Sequence, residues 1–301
     1  MFKALTTKVT HIYETKHKQL LIIPVILLIL SLAVIGNHYL KTGEFVSKGV
    51  SLKGGTTASI NKQFDVNELS SFLINEFPHA DVNVRTLSKA GADSGIIIEA
   101  SDVGGQELLK KIEEKIGTLT KEDYTIDTTG PSLGKSFLKQ TISSVLIAFA
   151  LMSIVVYLYF RAALPSFYAV FSVFADAVFA LAMFNIFELR LTTAGVAAFL
   201  MLIGYSIDTD ILLTTRVLKR TEGSISERMA NAFPTGLTMT IAAIVAVLIA
   251  YYSTGSELLK QIMFILGWGL VADLIFTWLF NAPLLKMYAE RKERNKEQNA
   301  N

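Results

Sequence analysis

LLIIPVILLILSLAVI, residues 20–35, is a run of sixteen residues without a charge. With Gly36 and its polar flanks it is just long enough, as a helix, to cross about 30 Å of hydrocarbon, which predicts a first membrane span over 20–38. A basic lead (Lys3, Lys8, Lys16, Lys18) ahead of an apolar run also describes a secretory leader. Gly36-Asn37-His38-Tyr39, however, lacks the small-x-small pattern at which leaders are cut, so the run is read as a retained span.

Outward from this run the chain alternates character. A soluble-looking stretch follows, and from Ile142 apolar runs of spanning length recur at 142–160, 165–187, 191–213, 234–252 and 261–280. The predicted organisation is an N-terminal segment 1–19, span one at 20–38, an inserted domain at 39–140, a five-helix bundle at 141–285 and a basic tail at 286–301. The composition agrees: of 301 residues 51% are hydrophobic and 18% charged, and the mean hydropathy is +0.45. A disordered or nucleic-acid-binding chain is excluded. The apolar residues lie in blocks, not spread as two soluble domains would need. With no cysteine there is no disulfide framework, thiolate zinc site or thiol nucleophile.

Lys and Arg set the orientation. With the N-terminus in the cytoplasm, the inside segments hold fourteen of them, whereas the short outside loops hold only Arg190 and Lys260. This predicts a multi-pass protein of the cytoplasmic membrane with both termini cytoplasmic and the 39–140 domain outside. That domain is long enough to cross whatever its own charge. The tail 286–296 reads as a topology and solubility signal.

The inserted domain has its own pattern. Thr56 to Asn61 is a strand candidate after Gly54-Gly55, and Asp65-x-x-Glu68 resembles a capping box ahead of Leu69, Phe72, Leu73 and Phe77 at helical spacing. Val82, Val84 and Ile96-Ile97-Ile98 predict two strands around the turn-rich Lys89–Gly95 segment. Leu108, Leu109, Ile112 and Ile116 predict a second helix, and Tyr124 to Thr128 a last strand. The order β-α-β-β-α-β is the split βαβ unit of ferredoxin-like domains. The fold class is therefore a membrane α-helical protein with six spans and an extracytoplasmic ferredoxin-like α+β domain between spans one and two. That fold fixes no function. His38 and His79 stand isolated and no Ser/His/Asp or metal-ligand spacing is present, which argues against an enzyme, a metal site or a cofactor.

Four acids fall within spans: Asp176, Asp208, Asp210 and Asp273. Each costs at least about 2.5 kcal/mol to insert near a helix centre and is a functional candidate by default. No Lys or Arg lies at matching depth, so the carboxyls must face one another, a cavity or a partner chain. Asp208 and Asp210 sit about 200° apart on a helix, so one lines the bundle and the other meets a loop, a neighbour or a partner. Small and polar ladders recur: Gly269, Asp273, Thr277 and Asn281 in span six, opposite Phe276 and Leu279; Thr238, Ala242, Ala246 and Ala250 in span five; Ser172, Asp176 and Ala180 in span three. Such ladders predict tight helix interfaces. Two readings stay open for the acids: a proton or sodium relay, or interhelical hydrogen bonding. Intramembrane aspartyl chemistry would need two converging carboxyls, which spacing alone does not show.

Three motifs complete the pattern: Gly49-Val-Ser-Leu-Lys-Gly-Gly-Thr56 opening the domain, Thr129-Gly-Pro-Ser-Leu-Gly134 ahead of span two, and Gly204-Tyr-Ser-Ile-Asp-Thr-Asp-Ile211 with Arg216 in span four. In this order, with these spans between them, the chain resembles the SecD/SecF family of protein-export membrane proteins, on its SecF side and in its archaeal form. The resemblance marks Gly54, Gly55, Gly130, Pro131, Gly204, Tyr205, Ser206 and Arg216 as motif positions. It implies a half-unit of the resistance-nodulation-division architecture, paired with a SecD-like subunit into a twelve-span complex. With the Sec translocon such a pair assists late export of polypeptides, drawing on the ion gradient. Implied partners are thus a SecD-like subunit, the translocon, exported polypeptide and the lipid bilayer. Bacterial members carry Asp where this chain has Ser51, Asn-Asp where it has Asp208-Thr209, and Arg near Asn231, so the family acid is shifted here. The same architecture also serves half-exporters of lipids or small molecules, and a purely structural subunit is a third reading.

Overall fold

The computed structural model describes residues 2–89, 92–220 and 222–300. An amphipathic helix α1 (Phe2–Leu20) leads into α2 (Ile22–Thr42), the first apolar helix. A one-turn helix α3 (Val50–Lys53) then opens the inserted domain. Its elements are β1 (Gly55–Ile60), α4 (Val66–Glu76), β2 (Val82–Lys89), β3 (Ala92–Ala100), α5 (Gly105–Ile116) and β4 (Tyr124–Thr129). The bundle follows as α6 (Pro131–Phe160), α7 (Ala163–Ile186), α8 (Thr193–Lys219), α9 (Ile225–Ser253) and α10 (Glu257–Phe276), the last continuing through one π turn (Thr277–Asn281) into α11 (Ala282–Ala300). Among the described residues, six helices are long and apolar enough to cross a membrane.

The four strands run in the order β2-β3-β1-β4, every neighbouring pair antiparallel. This is the ferredoxin-like arrangement read from the sequence. Alternation puts Ala58, Ile60, Ile96, Ile98 and Ala100 on one face, where Leu69, Leu73, Leu108 and Ile112 of the two helices cover them. Asp65 caps α4 by accepting from the N–H groups of Asn67 (2.8 Å) and Glu68 (3.1 Å). Only this half of the expected capping box forms, because Glu68 instead pairs with Lys115 of α5 at 2.6 Å. The segment Lys89–Gly95, read as a turn, is largely strand: Lys89 pairs with Ala92 and Ser88 with Asp93 beyond an irregularity at Leu87/Ser88, and the turn residues 90 and 91 lie outside the described residues.

The helices α7, α8 and α10 have half of their apolar windows buried, against 6% for α6, so they form the interior of the bundle. Two of the sequence motifs join the sheet domain to it. The Gly49 N–H donates to the Leu191 carbonyl (2.8 Å) and the Leu191 N–H to that of Ser47 (2.7 Å), where chain 47–49 runs beside the α7–α8 connection. Gln261 Nε2 donates to the Arg190 carbonyl at 2.6 Å, and Arg190 Nη2 reaches Asp81 Oδ1 at 2.6 Å. Burial pushes the Asp81 carboxyl up, but hydrogen bonds and charge from Arg190 and Lys53 outweigh it and hold the group below the usual carboxylate range. Gly134 of α6 rests directly on the backbone of Gly54, where a Cβ would lie 2.7 Å from the Gly54 nitrogen.

Candidate functional site

Three of the four span acids meet inside the bundle. Asp176 of α7, Asp210 of α8 and Asp273 of α10 are fully buried. No cationic side chain pairs with any of them among the described residues; they are linked through hydroxyls and one amide. Ser206 Oγ lies against Asp176 Oδ2 and, at 3.2 Å, against Asp273 Oδ1. Thr277 Oγ1 contacts Asp273 Oδ1 at 2.9 Å and Asp210 Oδ1 at 3.0 Å. Asn281 Nδ2 donates to Asp210 Oδ1 at 2.7 Å, and Thr240 Oγ1 of α9 donates to Asp273 Oδ2 at 3.2 Å. The chain of contacts therefore runs Asp176–Ser206–Asp273–Thr277–Asp210–Asn281, across three helices.

Counting donors shows what this chain of contacts requires. Ser206 and Thr277 each touch two carboxyl oxygens but each hydroxyl has one hydrogen to give. Two of their four contacts are hydrogen bonds only if a carboxyl supplies the proton. Unshared carboxylates at this spacing, with no cation in a low-dielectric interior, would repel strongly. The arrangement can share protons among its three carboxyls through the two bridging hydroxyls, and Asp176 Oδ1 and Asp210 Oδ2 are buried without hydrogen-bond partners among the described residues. No group of three His, Cys, Asp or Glu suited to a metal ion is present among those residues.

Asp208, the fourth acid, does not join them. It lies on the exposed face of α8 with Gly204 and Tyr205, whose side chain is half exposed. The angular separation read from the sequence thus divides Asp210 inward from Asp208 outward. Ser206, in the same motif, is the bridging hydroxyl, a role the motif alone did not reveal. Arg216 lines a polar cavity of about 680 Å³ with Arg220, Arg228 and Asn231, at the end of the bundle remote from the sheet domain. Gly54 and Gly55 adopt positive φ, and at Gly55 a Cβ would approach the Ala100 carbonyl oxygen to 2.3 Å, so a side chain there would displace β3. Gly130 is the N-cap and Pro131 the first residue of α6, where its fixed φ suits helix initiation.

The tight interface expected of the ladder Thr238, Ala242, Ala246 and Ala250 is not made among the described residues, where the first three are exposed on α9 and Ala250 is partly buried. A small-residue stripe signals close packing but not the partner, and the bundle interior is filled by α7, α8 and α10 instead. Phe276 is not opposite the polar stripe of span six but buried, packed with Ala175, Phe179 and Ala272. The stripes Ser172–Asp176–Ala180 and Gly269–Asp273–Thr277–Asn281 are both buried as expected. His38 is also less isolated than its sequence context indicates, since its Nε2 lies 3.3 Å from Ser47 Oγ, although no carboxylate contacts that ring among the described residues.

A six-span membrane protein with a ferredoxin-like domain between its first two spans and a sealed carboxyl cluster between spans three, four and six is the class these elements define. Residues 108–291 match the family described as Protein export membrane protein SecD/SecF, C-terminal. The chain is 33% identical to the Protein-export membrane protein SecF of Pyrococcus furiosus, covering 95% of this chain and 96% of that one. It is 36% identical to its counterpart from Methanocaldococcus jannaschii, with 90% and 95% covered. It belongs to the SecD/SecF family of protein-export membrane proteins, on the SecF side. Among solved structures, SecDF of Thermus thermophilus, described as a translocon-associated membrane protein, superposes with a TM-score of 0.73 at 17% identity, over 90% of this chain and 38% of that one. That likeness concerns the fold, and the chain spans well under half the length of the SecDF polypeptide.

Proposed function

We propose that this chain is the SecF-type half of a two-subunit accessory to the Sec translocon, working with a SecD-like six-span partner to assist late translocation of polypeptides across the cytoplasmic membrane. It acts without catalysis of its own. The observation that carries this reading is the outward face of α8 and α9. Asp208 is exposed on the membrane helix α8 together with Gly204 and Tyr205, and the ladder Thr238, Ala242 and Ala246 is exposed on the neighbouring helix α9. An ionisable group in that position needs a protein partner, and small side chains let a second backbone approach closely. A second half-unit supplies both. In this reading both termini are cytoplasmic and the sheet domain stands outside, where emerging polypeptide passes. The buried series Asp176, Asp273 and Asp210 is the ion path, coupling the gradient to movement of the helices against the docked sheet domain. Asp208 belongs to the interface with the partner.

The test is purification of the tagged chain from its native membrane in mild detergent, with mass spectrometry of what accompanies it. Recovery of a SecD-like six-span subunit, with the translocon retained after crosslinking, supports the reading. Recovery as a homo-oligomer alone would favour a self-contained exporter of lipids or small molecules.

A further inference from the structure

The π turn that ends α10 sits between the acid cluster and the N-terminal helix, and its origin is legible in the chain. Pro283 lies two residues beyond it. A proline inside a helix has no N–H to donate and clashes with the carbonyl four residues earlier, here that of Leu279. A π turn relieves the clash by widening the helix. The Ala282 N–H then donates to the Thr277 carbonyl, five residues back. The Trp278 carbonyl consequently loses its α-helical donor, which is Ala282, while its π-helical donor would be residue 283, the proline. Both backbone donors are spent or missing.

The missing donor comes from the opposite end of the polypeptide. Tyr13 of α1, itself buried, donates its phenol O–H to the Trp278 carbonyl at 2.7 Å. Burial pushes that phenol above the ordinary tyrosine range, so it keeps its proton and stays a donor. The helix that carries Tyr13 is held in turn: Lys286 Nζ of α11, also buried, donates to the Tyr13 carbonyl at 2.7 Å, and His17 Nδ1 lies 3.1 Å from the same oxygen. Glu290 pairs with Lys286 at 3.4 Å. Trp278 is wedged against Gly236 of α9, where a Cβ would come within 2.6 Å of its ring. Its two neighbours in the turn that matter chemically are Thr277 and Asn281, both hydrogen-bonded to Asp210.

We infer that Tyr13 is a positioning residue for the acid cluster: by completing the hydrogen bonding of the proline-induced π turn, its O–H holds Thr277 and Asn281 on Asp210, so that the N-terminal helix sets the geometry of the ion path. The inference rests on the proposed ion path, and it adds a control element outside the spans. A rearrangement of α1 that withdraws Tyr13 would leave a buried carbonyl without a donor and shift the two side chains that polarise Asp210.

The test uses the full chain with its partner in lipid nanodiscs and follows the carboxylic-acid carbonyl band by infrared spectroscopy as a function of pH, for the wild type, Tyr13→Phe, Pro283→Ala, the double variant and Asp210→Asn. Tyr13→Phe keeps the ring in its packing and removes only the O–H. It is expected to move the midpoint of the band by about 0.5 pH unit or more, the effect of partly relaying one ordinary hydrogen bond. Pro283→Ala restores a backbone N–H, so in that background Tyr13→Phe is expected to move nothing. If Tyr13→Phe alone yields too little folded protein, recovery of yield in the double variant supports the inference and failure to recover overturns it. An equal shift in both backgrounds, or no shift from Tyr13→Phe while Asp210→Asn alters the band, overturns this inference alone. A band unaltered by Asp210→Asn removes the ion-path reading as well.

Discussion

Replacing Ser206 by Ala is the sharpest perturbation of the cluster, because it deletes one oxygen that touches two carboxyls on two other helices. The volume change is small and the site is fully closed, so the effect is polar, not steric. Asp273 keeps Thr240 and Thr277 after the change. Asp176 keeps nothing, since its Oδ1 already has no hydrogen-bond partner among the described residues. One buried carboxyl is thus left wholly unpaired, which costs about 1–3 kcal/mol, toward the upper end for an acid in a dry interior. For a chain of 301 residues each kcal/mol lowers the melting midpoint by about 1.5–2 °C, so a loss of a few degrees is expected in a detergent melt of the purified chain. Tyr205→Ala, one residue away but half exposed, is the control: it should leave the melt of the isolated chain nearly unchanged while weakening association with the partner. An unchanged melt for Ser206→Ala would show that the hydroxyl does not bridge the two acids and would refute the connected cluster.

Three further outcomes follow from the same geometry. Ala242→Leu, on the exposed ladder of α9, should reduce co-purification of the partner several-fold without altering the melt of the chain alone, and equal recovery of partner would move the interface elsewhere. Gly134→Val should loosen the sheet domain from α6, because a Cβ there meets the Gly54 backbone; overpacking of this kind costs about 1–3 kcal/mol, and proteolysis within 47–55 should become faster. The Asp81–Arg190 contact gives a pH prediction: a carboxylate held below its unfolded value contributes docking stability that is fully present above about pH 4 and is lost only as pH falls through the lower native value. Hydrogen exchange at 47–53 should accordingly be flat from neutral pH to about 4 apart from the intrinsic rate change, then rise below it, and Arg190→Ala should shrink that acid step to the part that Lys53 supplies.

The spans were legible because hydrocarbon tolerates no exposed polar backbone, so each span leaves an uninterrupted apolar run. Their ends were not, because a helix leaving the membrane no longer needs apolar residues. Thus α6 starts at Pro131 and α8 continues to Lys219, beyond the runs 142–160 and 191–213. For α9 the sequence does hold a usable start signal: Ser224 and Glu227 form a reciprocal capping box, with Ser224 ten residues ahead of the apolar run 234–252. The division of Asp208 from Asp210 followed from helical periodicity alone. Convergence of Asp176, Asp210 and Asp273 did not, since it depends on how α7, α8 and α10 cross, which no local pattern encodes. The π turn had a local cause in Pro283, but its donor, Tyr13, lies 265 residues away from Trp278 and was invisible to any window.

The measurement that bears most directly on the central claim is export of a Sec-dependent polypeptide into membrane vesicles carrying Asp210→Asn, compared with wild type, with and without an imposed ion gradient. The account predicts that the partner is retained and gradient-free export is unchanged, while stimulation by the gradient is lost. Full gradient stimulation in Asp210→Asn, with the partner in place, would contradict it.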